Sequence, residues 1–203
     1  MPEARRGLLV DYGGVLTTDV FASFSTFCAR EGLPSDAVKR LFHTDPAAHE
    51  LLVGLEEGTL SDEEFEERFA ALLGVRPEGL IERMLGNASS DVAMLDAVRA
   101  ARRHGIRTGL ISNSWGVSRY DRVLLDELFD GVVISAEVGM RKPSTEIYAL
   151  GARAVDLEPS QCVYVDDLPG NLKPARALGM ATVHHRETSA TIAELSRMLA
   201  VPL

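Results

Sequence analysis

Five short apolar runs punctuate the chain: Leu8-Leu9-Val10, Thr108-Gly109-Leu110-Ile111, Val132-Val133-Ile134, Cys162-Val163-Tyr164-Val165 and Ala181-Thr182-Val183. They are mostly continuous rather than alternating, as parallel strands covered on both faces require. Between them the apolar residues recur with helical period. Val92 to Arg103 carries Met94, Leu95, Val98 and Ala101 on one stripe and meets a stop at Gly105. Further helices are predicted from near Ser144, after Pro143, and from just after Pro169. Strand and helix in alternation predict an open α/β sheet with right-handed crossovers.

The alternation is interrupted once. Between the first and second strand signals the pattern is helical, with Val20, Phe21, Phe24, Phe27 and Cys28 at helical spacing. Ser61-Asp62-Glu63-Glu64 reads as a capping box ahead of Phe65, Phe69, Leu72 and Leu73. Residues 17–88 are therefore expected to form a helical insertion, with 1–16 and 89–203 making the α/β core. The chain carries no internal repeat and no low-complexity segment.

Composition narrows the functional classes. A chain of 203 residues, 46% hydrophobic and 25% charged, is long enough to fold around a real core without staples. No run approaches the roughly 18 uninterrupted apolar residues of a membrane span. Gly7 to Val10, after Met1 to Arg6, is too short for a signal-peptide core, so a cytoplasmic protein away from membranes is expected. Lys and Arg number 21 against 30 Asp and Glu, a net charge of −9 that repels phosphodiester backbones and argues against nucleic acid. Cys28 and Cys162 have no metal-ligand spacing and sit in apolar runs, as buried thiols do.

In open α/β sheets, ligands bind outside the carboxyl ends of the strands. Strand one ends in Asp11, strand two in Ser112 and strand four in Asp166-Asp167, while Lys142 follows strand three in a loop bounded by Gly139 and Pro143. Three carboxylates crowded together need a divalent cation to be ionised together, and an oxygen-rich set points to Mg²⁺. A nucleophile, a hydroxyl, a lysine and a hard cation are what phosphoryl transfer requires.

The segments Asp11-Tyr12-Gly13-Gly14-Val15-Leu16, Ile111-Ser112-Asn113-Ser114, Glu137-Val138-Gly139-Met140-Arg141-Lys142-Pro143 and Val165-Asp166-Asp167-Leu168-Pro169-Gly170-Asn171 resemble, in order, the four motifs of the haloacid dehalogenase superfamily. The insertion resembles that family's helical type-one cap. The resemblance implies a Rossmann-like α/β fold with a small helical cap after the first strand, and Mg²⁺-dependent hydrolysis of a small phosphorylated metabolite. It implies Asp11 as the nucleophile that becomes an aspartyl phosphate, Ser112 holding a phosphoryl oxygen, and Lys142 neutralising developing charge and positioning Asp11. Gly14 and Asn113 would line the substrate pocket, and Asn171 would tether the acidic loop. Asp11, the carbonyl of Gly13, Asp166 and Asp167 would surround Mg²⁺, with Asp167 as a direct ligand and Asp166 beside it or acting through water. A monomer or homodimer is expected.

One position departs from the pattern. Most phosphatases of this superfamily carry a second Asp two residues after the nucleophile, which protonates the leaving group and then activates water; here that residue is Gly13. The Asp-x-Gly-Gly variant resembles a branch that includes bacterial sugar-phosphate phosphatases and the N-terminal domain of epoxide hydrolases. A positioned acid/base contributes about 10²–10⁴-fold, so its absence predicts a preference for leaving groups of low pKa. Two other readings stand beside the phosphatase: a phosphate-binding regulatory protein without turnover, supported by Gly13, and a metal-free dehalogenase. The Asp166-Asp167 pair opposes the second, since without a cation those charges repel each other and the nucleophile. Trp115 is expected to pack, with lining the pocket the alternative, His43 and His49 to pack or face solvent, His184 and His185 to point apart on an extended segment, and Asp62-Glu63-Glu64 to be a solvated helix start.

Overall fold

The computed structural model describes residues 5–203, so residues 1–4 of the expected core lie outside the described residues. Each apolar run forms one strand: β1 (Gly7–Val10), β2 (Arg107–Ser112), β3 (Gly131–Ile134), β4 (Cys162–Asp166) and β5 (Ala181–His184). The order is β3-β2-β1-β4-β5 and every pairing is parallel. The central strand β1 and its neighbour β4 are buried along their whole length, whereas the edge strands β3 and β5 are partly open. Val10 pairs in register with Leu110 and with Val165, so the chain leaves β1, β2 and β4 at one level, carrying Asp11, Ser112 and Asp166 to the same edge.

Five helices follow β1: α1 (Val20–Arg30), α2 (Ala37–Thr44), α3 (Pro46–Glu56), α4 (Asp62–Leu73) and α5 (Leu80–Leu85). The capping box forms as the sequence predicts: Ser61 Oγ accepts from Glu64 N–H at 3.2 Å, and Glu64 Oε2 accepts from Ser61 N–H at 3.1 Å. Gly74, at φ 73°, ends α4 in the left-handed conformation. Phe65, Phe69 and Leu73 are buried, but Leu72 is 39% exposed and Ala70 takes the inward place. These helices share one hydrophobic cluster of their own, in which Phe42 stacks on Phe69 at 4.6 Å.

The remaining helices are α6 (Val92–Arg103), α7 (Arg122–Leu128), α8 (Ser135–Val138), α9 (Thr145–Ala154), α10 (Pro169–Ala177) and α11 (Thr188–Leu199). Alternate residues of β1 divide them into two layers, as the pleat dictates. Leu8 and Val10 pack with α6, α7 and α11, while Leu9 packs with α9 and α10 on the other face. The two connections to the helical unit run side by side, with Thr17 bridged to Ser90, Thr18 N–H donating to Ser89 O and Asp91 N–H to Leu16 O, the last two at 2.8 Å. Cys28 and Cys162 are buried free thiols. Among the described residues no helix is long and apolar enough to cross a membrane.

Candidate active site

A cavity of about 610 Å³ lies between the strand ends and the helical unit. Asp11 stands on its floor, directly after β1, its backbone N–H donating to Val165 O at 3.0 Å. Asp11 Oδ1 accepts from Tyr12 N–H at 2.7 Å and pairs with Lys142 Nζ at 2.7 Å. Lys142, only 2% exposed, also reaches Asp166 Oδ2 at 2.9 Å, so one buried ammonium bridges two carboxylates. Asp166 is wholly buried. Its Oδ1 accepts from Leu168 N–H at 2.8 Å and Asn171 Nδ2 at 3.0 Å, and its Oδ2 accepts from Tyr164 Oη at 2.5 Å. Asn171 therefore holds the acidic loop through Asp166, as expected of a tether.

The charges are unevenly shared. Burial, helped by the charges of Asp166 and Asp167 and opposed by Lys142, pushes Asp11 up to about 8. Burial and the Asp166 charge push Asp167 up to about 6. For Asp166 burial is outweighed by Lys142 and the hydrogen bonds from Tyr164 and Leu168, which hold its carboxyl below the usual range. Burial of Lys142 is likewise outweighed by its two carboxylate partners, which keep it protonated. Carboxylate oxygens of Asp11, Asp166 and Asp167 lie within 4.8 Å of one another. Three carboxylates against one ammonium leave an excess of negative charge on oxygen donors, a set that fits a hard divalent cation such as Mg²⁺.

The two glycines after the nucleophile differ. Gly14 has φ +72°, and a Cβ there would lie 2.4 Å from Asp167 Oδ2. Only glycine leaves room for that carboxylate. At Gly13 a Cβ would meet Val20 Cγ2 of α1 at 3.1 Å and no other atom within 4 Å, so neither backbone nor floor demands a glycine.

Ser112 is 2% exposed, with Oγ 2.8 Å from Tyr120 Oη. Asn113 lines the cavity, but its side chain is already engaged: Oδ1 accepts from Lys142 N–H at 2.8 Å, and Nδ2 donates to Lys142 O and Glu56 Oε2, each at 3.2 Å. It grips the backbone of Lys142. Glu56, at the end of α3 and 6% exposed, also accepts from Arg141 Nε. Burial raises its pKa against the pull of Arg141.

Above this floor Val20, Phe21, Phe24, Phe42, Leu52 and Trp115 form an aromatic and aliphatic wall, interrupted by the charged side chains of Lys39, Glu82 and Arg119. Trp115 extends into the helical cluster, its ring 5.3 Å from Phe24 and 5.9 Å from Phe42. It packs, as expected, and also lines the cavity, as do His43 and His49. His184 and His185 do diverge: His184 Nε2 lies 2.9 Å from Asp167 O, and His185 Nδ1 lies 3.0 Å from Thr191 Oγ1. Glu56, Arg141 and Tyr120 were not expected at the site. Arg141 had a signal, its place beside Lys142; Glu56 reads in sequence like any glutamate at a helix end, and Tyr120 like any loop tyrosine.

A family model described as haloacid dehalogenase-like hydrolase matches residues 6–179. The chain belongs to that family. It is 34% identical over 131 residues to bifunctional epoxide hydrolase 2 of Sus scrofa, covering 61% of this chain and 24% of that protein. The hydrolase thus spans about a quarter of the length of such curated relatives. It is 37% identical over 73 residues to the sesquiterpene phosphatase astK of Aspergillus oryzae, covering 36% of this chain and 37% of that one. Among solved structures, a haloacid dehalogenase family enzyme from Bacteroides thetaiotaomicron in complex with magnesium and inorganic phosphate matches with a TM-score of 0.67 at 21% identity, covering 90% of this chain and 95% of that one, which shows the shared fold.

Proposed function

We propose that the hydrolase is a Mg²⁺-dependent phosphatase that cleaves a small phosphate monoester through an aspartyl phosphate on Asp11. The observation that carries this reading is the floor of the cavity, where Lys142 joins Asp11 to Asp166 and a third carboxylate, Asp167, lies beside them. Asp11 attacks the phosphorus, the bond to the leaving oxygen breaks, and water then cleaves the acyl phosphate to return the carboxylate and inorganic phosphate. Lys142 holds Asp11 oriented and offsets charge on the transferred group, and Ser112 donates to one of its oxygens. Asp11, the carbonyl of Gly13 and Asp167 would hold the cation, which when bound supplies neutralisation of the phosphoryl charge. Asp166, with both oxygens engaged by protein donors, serves beside the cation by fixing Lys142. Residues 17–88 act as a cap that excludes water and contacts the remainder of the substrate.

The apolar walls favour a substrate with an apolar body, and Gly13 favours leaving groups of low pKa. Gly13 also supports a second reading, a protein that binds phosphate without turnover. Phosphate release from p-nitrophenyl phosphate and a panel of aryl, acyl and sugar phosphates, with Mg²⁺ and with EDTA, separates the two. Metal-dependent turnover that vanishes in Asp11→Asn establishes the phosphatase; a folded protein that binds Mg²⁺ and turns over none of the panel favours the second.

A further inference from the structure

Tyr120 sits outside the four motifs, in the segment between β2 and α7, yet its hydroxyl is the only side-chain partner of Ser112 among the described residues. The two oxygens are 2.8 Å apart and the bond is buried. The ring is fixed on two sides. It meets the ring of Tyr12 edge-on with centroids 5.1 Å apart, and the Arg122 guanidinium stands 6.0 Å from its centroid. Tyr12 directly follows Asp11 and its backbone N–H donates to Asp11 Oδ1, so the ring that braces Tyr120 is anchored beside Asp11.

The direction of the Ser112–Tyr120 bond follows from the acceptors present. Ser112 Oγ has a second oxygen in reach, Asn113 O, at a long 3.4 Å. The Tyr120 hydroxyl has none besides Ser112 among the described residues. Both protons find an acceptor only when Tyr120 donates to Ser112 and Ser112 turns its own proton elsewhere. A phenol is also the stronger donor of the two, and burial holds this one above its ordinary pKa and therefore protonated. The long contact to Asn113 O is a weak resting place, readily given up to an anionic oxygen.

We propose that Tyr120 is a positioning residue of the phosphate site: its hydroxyl donates to one lone pair of Ser112 Oγ and so fixes the rotation of the serine O–H, leaving its proton for the phosphoryl oxygen. The proposal rests on the phosphatase reading for its kinetic consequence, but the binding consequence stands apart from turnover. Without the tyrosine hydroxyl, the serine can turn its proton aside, and the donor is present but misdirected.

The test is a cycle of Tyr120→Phe, Ser112→Ala and the double variant, read both as kcat/KM on an aryl phosphate and as affinity for inorganic phosphate with Mg²⁺ present, by calorimetry. Loss of a single oxyanion donor costs about 10²–10³-fold in rate. Ser112→Ala should fall in that range, and Tyr120→Phe should lose roughly tenfold, mostly in kcat, as an interaction tightened in the transition state does. The double variant should match Ser112→Ala within about twofold, because Tyr120 has nothing left to act through. Tyr120→His, which keeps a ring donor, should recover part of the loss and serves as the probe if the Phe variant does not fold. Multiplying losses, or a Tyr120→Phe enzyme equal to wild type, overturns the proposal. A wild type without turnover defeats the phosphatase reading instead, and the cycle of phosphate affinities then decides the role of Tyr120: non-additive losses uphold it, while additive losses, or no phosphate binding at all, overturn it.

Discussion

The sheet edge and the helical unit contribute to one cavity by opposite means. At the sheet edge, parallel register carries Asp11, Ser112 and Asp166 to a common level, and several side chains there are tied to the backbone of a neighbour: Tyr12 N–H on Asp11, Leu168 N–H on Asp166, the Lys142 backbone on Asn113. The helical unit supplies volume and apolar wall from a hydrophobic cluster of its own, and it meets the floor at a few joints. Glu56 reaches Arg141 and Asn113, Arg119 pairs with Glu82 at 2.5 Å, and Trp115 enters the aromatic cluster from the other side. The strand-end residues are thus set by the backbone ladder, whereas the helical unit meets them through a few side-chain joints.

That contrast can be broken from either side. The largest effect belongs to the floor: Asp11→Asn should lower turnover by about 10³-fold or more while the thermal unfolding curve stays folded and cooperative. Retained turnover would remove Asp11 from the chemistry. The next belongs to the helical cluster. Phe69 is fully buried against Phe42 and Phe65, and truncation to Ala should destabilise it by about 3–5 kcal/mol. If the two regions are separable, calorimetry will show the helical unit melting ahead of the sheet; a single shifted transition would mean that they fold as one.

A smaller effect is expected at the joint. Glu56→Gln keeps the shape but removes the charge facing Arg141, and should lower kcat/KM about tenfold, equivalent to roughly 1.4 kcal/mol. An unchanged KM with reduced kcat would place the effect at Lys142, reached through Asn113; the converse would place it in substrate retention. The smallest effect is a pH dependence. Asp11 and Asp167 have folded-state values of about 8 and about 6, against 3.8 for an ordinary aspartate. The folded protein therefore binds more protons than the unfolded chain between those limits, and stability from these groups, full below about pH 4, is lost as pH rises through 6 and 8. A cation that replaces the protons should recover it, so the rise in Tm on adding Mg²⁺ should be larger at pH 8 than at pH 5, by about 2–4 °C for each kcal/mol regained. Equal shifts at both pH values would contradict this.

Much of the architecture can be read along the chain. Five apolar runs became five parallel strands because both faces of such a sheet are buried, leaving continuous rather than alternating hydrophobicity. Asp11, Ser112 and Asp166-Asp167 could be placed at one edge because a strand end is a fixed address in this topology, and the capping box at Ser61 because it is a contact between residues three apart. Side-chain partners far apart in sequence were decided only by the tertiary structure. Leu72 continues a stripe and yet is 39% exposed, while Ala70 is buried beside Phe65, Phe69 and Leu73. Asn113, adjacent to Ser112, lines the cavity and also holds the Lys142 backbone, a contact 29 residues away in sequence. Glu56 and Tyr120 lie 57 and 8 residues from the partners they meet at the site. Periodicity and strand ends are properties of a local backbone and are written in neighbouring residues. The direction of a hydroxyl or carboxylate depends on which donors the folded chain brings within 3 Å or so, and no local pattern encodes that.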